Sequence, residues 1–147
     1  MKKVVMQNEI LLTEVQRLVA EGESVTLKAK GTSMLPFIRG EHDNVVLVKP
    51  GHVRLYDIVL ARVSTGNIVL HRVIAVDGDI LTLMGDGNIR GCEKCRINDV
   101  MAKVAAIDKG GRVLDCTNVS HIRKVRLWVA LKPVRRYLLA IYRRLFK

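Results

Sequence analysis

A serine and a histidine in this 147-residue chain are of the types that can share a proton. Ser33 stands in Gly31-Thr32-Ser33-Met34-Leu35-Pro36, between small and apolar neighbours and three places before a proline, a stretch that predicts a constrained turn. A serine held there is either a turn residue or a nucleophile, and only a base elsewhere in the chain decides between them. Of the four histidines, at 42, 52, 71 and 121, only His71 falls inside an apolar strand pattern. On a strand, Val69, His71, Val73 and Ala75 share one face and Leu70, Arg72 and Ile74 the other. A neutral imidazole among aliphatic neighbours can take a proton from a hydroxyl. The same pattern also describes a core histidine bonded to backbone.

A third group would have to orient such a base. Met84-Gly85-Asp86-Gly87-Asn88 follows a strand-like run with a glycine-rich turn. Asp86 is there either the acid that orients His71 and stabilises its charged form or a turn residue bonding its own backbone. Cys92-x-x-Cys95 with Cys116 and His121 offers four zinc-ligand types, but its second half lacks tight spacing. A loop dithiol is the favoured reading, and neither metal nor other cofactor is expected. Three cysteines, an odd number with one close pair, argue against a disulfide scaffold and agree with a reducing compartment.

The elements that must position these residues follow from periodicity. From Asn8 to Ala20, Leu11, Val15 and Leu18 keep helical spacing, with Gly22 placed to end an amphipathic helix. Val25, Leu27 and Ala29 alternate with polar residues as a half-buried strand running into Gly31. Val45–Val48, Ile58–Val63, Ile68–Val76, Ile80–Met84 and Val100–Ile107 read as further strands. Ser64-Thr65-Gly66-Asn67 should close an antiparallel hairpin between two of them. The body is therefore expected to be mainly β, with an N-terminal amphipathic helix.

From about Val119 the texture becomes helical. Val134, Tyr137, Leu138, Ile141 and Leu145 fall on one side of a helical wheel, with Arg136 and Arg143 opposite and Arg135 and Arg144 on the flanks. The formal charge is +11, and residues 123–147 hold nine Lys/Arg and no acid, against sixteen basic and fourteen acidic in residues 1–122. One core is expected, divided into a β domain over residues 1–118 and a basic amphipathic helical tail over 119–147. Such a tail suits an anionic membrane face or packs its stripe on the body. Nucleic acid ranks third, because an apolar stripe has no use along phosphates. No run reaches the length of a spanning helix, and the early charges of Met1–Glu9 do not form a secretion signal, so the chain is expected in the cytoplasm, with peripheral contact at the inner membrane face as the tail's alternative.

Gly31-Thr32-Ser33-Met34-Leu35-Pro36-Phe37-Ile38, Asp57-Ile58-Val59-Leu60, Leu70-His71-Arg72-Val73-Ile74, Gly85-Asp86-Gly87-Asn88 and Asp99-Val100 together resemble the ordered boxes of the signal peptidase I and LexA-like serine peptidases, the S24/S26 group. The resemblance covers roughly residues 25–107. It implies the signal peptidase/LexA-like β fold, Ser33 as nucleophile, and His71 as base in the branch that carries histidine rather than lysine. It also implies Asp86 as the supporting acid, with Asp99 in reserve. Tyr56 stands where the group has glycine before Asp-Ile-Val, and Gly31 where signal peptidases have a hydroxyl residue, so an oxyanion hole would rest on backbone N–H groups near Ser33. No N-terminal anchor and no preceding DNA-binding domain are expected. The implied function is a small serine endopeptidase acting on a peptide or protein substrate such as a leader sequence. The alternative is a catalytically silent domain of that fold that binds or regulates through its basic tail.

Overall fold

The computed structural model describes residues 9–145. Residues 1–8, including the stretch judged unlike a secretion signal and the expected helix start at Asn8, lie outside the described residues, as do 146–147. Helix α1 (Glu9–Ala20) buries Leu12, Val15 and Val19, each at most 2% exposed, at the three- and four-residue spacing of one helical face. Arg17 links Glu14 and Glu21 along its outer side. The helix stops where Gly22 takes φ 94° and its N–H bonds back to the Val19 carbonyl, a conformation glycine adopts without a Cβ clash.

The body is mainly β, as the periodicity predicts. Its strands are β1 (Val25–Lys28), β2 (Asn44–Val48), β3 (Ile58–Arg62), β4 (Ile68–Asp77), β5 (Ile80–Met84), β6 (Glu93–Arg96), β7 (Val100–Asp108) and β8 (Val113–Asp115). They form one antiparallel sheet in the order β1-β2-β7-β3-β4-β5-β6, with β8 paired to β7. The expected hairpin joins β3 to β4, with Val63 N–H donating to the Asn67 carbonyl at 2.8 Å. Its register sets Val59 opposite His71 and Ile58 opposite Arg72.

Alternation along these strands divides the core in two. Ile58, Leu60, Leu47 and Ile107 pack with α1, Met34 and Ile38, while Val59, Ala61, Val73, Leu81, Leu83 and Cys95 form a second cluster. Each fully buried aliphatic side chain contributes about 1.5–3 kcal/mol of transfer free energy. The expected loop around Cys92 and Cys95 is corrected in part: Glu93–Arg96 is a strand on the sheet edge, with Leu81 opposite Cys95 and Leu83 opposite Glu93. It escapes periodicity because an edge strand of Glu, Lys, Cys and Arg has no apolar run, and charge on an edge discourages pairing with another chain.

Helices α2 (Val119–Ala130) and α3 (Arg135–Leu145) pack on this body. Asn118 caps α2, its side chain accepting from the N–H groups of Ser120 and His121 at 2.9 and 3.3 Å. The buried residues of the pair are His121, Val125, Arg135 and Leu139. Of the two readings of the tail, packing of the apolar stripe on the body is corrected, because Val134, Tyr137, Ile141 and Leu145 are 43–70% exposed whereas Arg135 is 2% exposed. The buried side of α3 is formed by Arg135 and Leu139, four residues apart on one helical face. Among the described residues no helix is long and apolar enough to cross a membrane.

Candidate active site

Three chain segments converge on one point. β1 ends at Lys28, and three residues on Gly31 takes φ 74° at the start of the turn that carries Ser33. That turn is tied down on its far side: Ile38 N–H donates to the Met34 carbonyl at 2.9 Å, and Asp43 accepts from Arg39 N–H at 2.7 Å. Lys109 holds both the Phe37 carbonyl and the Asp43 carboxylate at 2.8 Å. The second segment is β4, which delivers His71, 7% exposed. The third is the loop Gly85–Asn88.

The two glycines of that loop lie where side chains do not fit. A Cβ on Gly85 would stand 2.3 Å from the Ser33 carbonyl oxygen and 3.1 Å from His71 Nε2, so one small volume touches both residues. A Cβ on Gly87 would stand 2.4 Å from the Thr32 carbonyl oxygen, and Gly87 N–H donates to the Ser33 carbonyl at 2.8 Å. Glycine is required by close approach at both positions. Ser33 and His71 line a single cavity of about 200 Å³. Its remaining walls are largely aliphatic, including Leu27, Ala29, Met34 and Leu70.

His71 Nδ1 lies 2.8 Å from Glu93 Oε1. With the glutamate ionised, Nδ1 carries the proton and donates, which leaves the Nε2 lone pair on the side of Gly85 and Ser33. Asp86, which the sequence pairs with His71, is occupied elsewhere. Its two oxygens accept from Arg72 Nε and Nη2 at 2.8 and 2.7 Å, with both side chains 2% exposed. The physical reason is alternation: Arg72 points away from His71, and its planar fork matches a carboxylate in a way an imidazole cannot. Asp99, the reserve acid, accepts from Arg96 N–H at 3.0 Å at the start of a short 3₁₀ turn. Thus Ser33 and His71 are brought together, and the carboxylate at the ring is Glu93. Its one sequence signal was the period-two spacing of Glu93 and Cys95 around Lys94.

Arg72 also donates from Nη1 to the Tyr56 carbonyl at 2.8 Å and lies 5.2 Å from the Phe37 ring centre. Tyr56 adopts φ 76°, a left-handed conformation that favours glycine. The backbone shape that a glycine would serve is therefore kept by a tyrosine, and holding a non-glycine residue there costs on the order of 1–3 kcal/mol. Behind the Gly85 loop, Trp128 Nε1 donates to the Asp86 carbonyl at 2.8 Å. Arg135 Nη1 donates to the Asn88 carbonyl at 3.0 Å and its guanidinium lies 5.3 Å from the Trp128 ring centre.

No protein-family model and no curated protein matches this chain. The site's chemistry is therefore argued from its own side chains.

The cysteines and His121 stand apart from it. Cys95 is buried and Cys92 exposed, and burial pushes the Cys95 thiol up to about 11 and the Cys116 thiol likewise to about 11. Thiols held protonated are poor metal ligands. His121 is 4% exposed, meets Phe37 edge-on at 5.5 Å, and its Nε2 has no hydrogen-bond partner. Burial, and then the Arg72 charge, lowers its pKa. Among the described residues no three His, Cys, Asp or Glu groups converge as a metal site.

Proposed function

We propose that the chain is a serine endopeptidase in which Ser33 is the nucleophile, His71 the general base and Glu93 the group that orients the base. The observation that carries this reading is one aliphatic cavity lined by both Ser33 and His71, with Glu93 Oε1 2.8 Å from the ring's other nitrogen. Ser33 Oγ attacks a peptide carbonyl while its proton passes to His71 Nε2. Glu93 stabilises the imidazolium that results. Collapse of the tetrahedral adduct returns that proton to the leaving amine and leaves an acyl-serine, which water hydrolyses by the same relay. The Ser33 N–H, which has no acceptor among the described residues, is available to the developing oxyanion. One such donor is worth roughly 3–4 kcal/mol. The resemblance to the boxes of the signal peptidase/LexA-like group supports the same assignment, with Glu93 in the role that the resemblance implies for Asp86.

The test is cleavage of a peptide library by purified protein, read by mass spectrometry beside Ser33→Ala. Products that appear with the intact protein and vanish with the variant are expected. A library left uncut by both would favour the silent-domain alternative. A fluorophosphonate adduct on Ser33 would add support.

The outer face of α3 carries a second part of the proposal, contact with an anionic bilayer. Tyr137, Ile141 and Leu145 stay exposed there, as does Val134 in the turn before it, and the exposed cations of this C-terminal segment include Lys132 and Arg136. Apolar side chains can enter the acyl boundary while each nearby cation adds about 1 kcal/mol at a negatively charged surface. Because Trp128 and Arg135 brace the Gly85 loop, truncating the helices would damage the site. Ile141→Glu is the cleaner probe. It should abolish sedimentation with phosphatidylglycerol vesicles while leaving the melting temperature unchanged, and undiminished pelleting would remove the membrane reading.

A further inference from the structure

Beside the aliphatic cavity lies a second one, of about 550 Å³, with a different lining. Its walls include Thr32, Arg39, His42, Tyr142, Arg143 and Arg144, and no acidic residue. Gly31 and Gly40 line both cavities. The backbones of these two glycines touch, since a Cβ on Gly40 would stand 2.0 Å from the Gly31 carbonyl oxygen. The cationic cavity therefore begins two residues before Ser33, across a glycine contact from the apolar one.

Among the described residues, Arg39, Arg143 and Arg144 form no ion pair with a carboxylate, in contrast to Arg17 and Arg72. Glu41, next in sequence to Gly40, is already held by Lys30 at 2.9 and 3.1 Å. Three arginines lining one open volume repel one another, and an anion entering it relieves that repulsion and can accept forked hydrogen bonds from a guanidinium.

We infer that this cavity binds a carboxylate side chain of the peptide substrate, so that the enzyme selects chains with an aliphatic residue in the first cavity and an Asp or Glu close by in the second. This rests on the peptidase reading above. It gives α3 a place in specificity: the helix is anchored on the body by Arg135 and Leu139, and its last turns carry Arg143 and Arg144 to the edge of the cleft.

The experiment compares matched peptides that differ only in Glu against Gln at successive positions around a cleaved bond. It measures kcat/KM for the full chain and for Arg39→Gln/Arg143→Gln/Arg144→Gln. At one position Glu should be preferred by about tenfold or more, the scale of a hydrogen bond to a charged group. The ratio should fall toward one in the triple variant and with added salt. Cleavage of Glu and Gln peptides at equal rates throughout would overturn the acidic subsite while leaving the peptidase reading intact. No cleavage of any peptide would overturn both. A triple variant that keeps its preference for Glu but no longer binds phosphatidylglycerol vesicles would assign the arginines to lipid and overturn the inference.

Discussion

His71 and Arg72 are neighbours on β4, and each holds a carboxylate, but the two pairs differ in setting. On one face His71, which lines the aliphatic cavity, meets Glu93, whose side chain is 28% exposed. On the other, Arg72 and Asp86 are both 2% exposed, and the same arginine also holds the Tyr56 carbonyl and faces Phe37. A group that moves protons must reach solvent or substrate, whereas a bidentate guanidinium–carboxylate pair sealed from water has a fixed charge and a fixed shape. On the proposed reading, the strand's alternation separates proton chemistry from support. Asp86 still serves the site, because holding it in place sets the Gly85 and Gly87 backbone against Ser33.

Breaking the sealed pair should have the largest effect. Arg72→Ala leaves the Asp86 charge buried without its partner, and removal of one member of such a pair costs about 3–5 kcal/mol. For a domain of this size each kcal/mol lowers the melting temperature by roughly 2–4 °C, so thermal unfolding should show a fall on the order of 10 °C. Glu93→Gln sharpens the other side of the contrast. It keeps the side chain's shape but removes the charge that orients His71, and should lower kcat about a hundredfold, worth about 2.7 kcal/mol of barrier. Its melting temperature should stay within a few degrees of the parent. If Glu93→Gln unfolded the protein while Arg72→Ala did not, the division of labour between the two faces would be reversed.

The smallest effect concerns the other buried histidine. His121 packs near Arg72 without a partner for Nε2 and is held neutral by burial. The unfolded chain takes up a proton there near 6.5, whereas the folded protein resists protonation to lower pH. Stability from this group is therefore complete above 6.5 and is lost as the pH falls toward the depressed folded value. Melting temperatures measured between pH 7.5 and 5 should decline less steeply in His121→Gln than in the parent.

Much of this arrangement was legible in the sequence where periodicity carried it. The β3–β4 hairpin, the strand ahead of Gly31 and the opposite faces of His71 and Arg72 all follow from period-two spacing and turn residues. Glu93 was not legible, because its short polar edge strand has no apolar alternation and pairs with the preceding strand β5 across a glycine-rich loop that hides the register. Asp86 was misread for a related reason. A glycine-flanked acid announces a tight loop but not which of two adjacent strand residues it will meet. Which side of α3 faces the body was not legible, because hydrophobicity does not reveal that Arg135 is buried, with Leu139, against the Asn88 carbonyl and the Trp128 ring, which only the fold brings to it.

The claim that Ser33 and His71 act as one unit is tested most directly by kcat/KM for Ser33→Ala, His71→Ala and the double variant on one cleaved peptide, each checked for native thermal unfolding. Residues that act together are non-additive, so each single variant should lose activity by at least about 10⁴-fold and the double variant should be no worse than either. Either folded single variant cleaving within a few-fold of the parent would contradict the account.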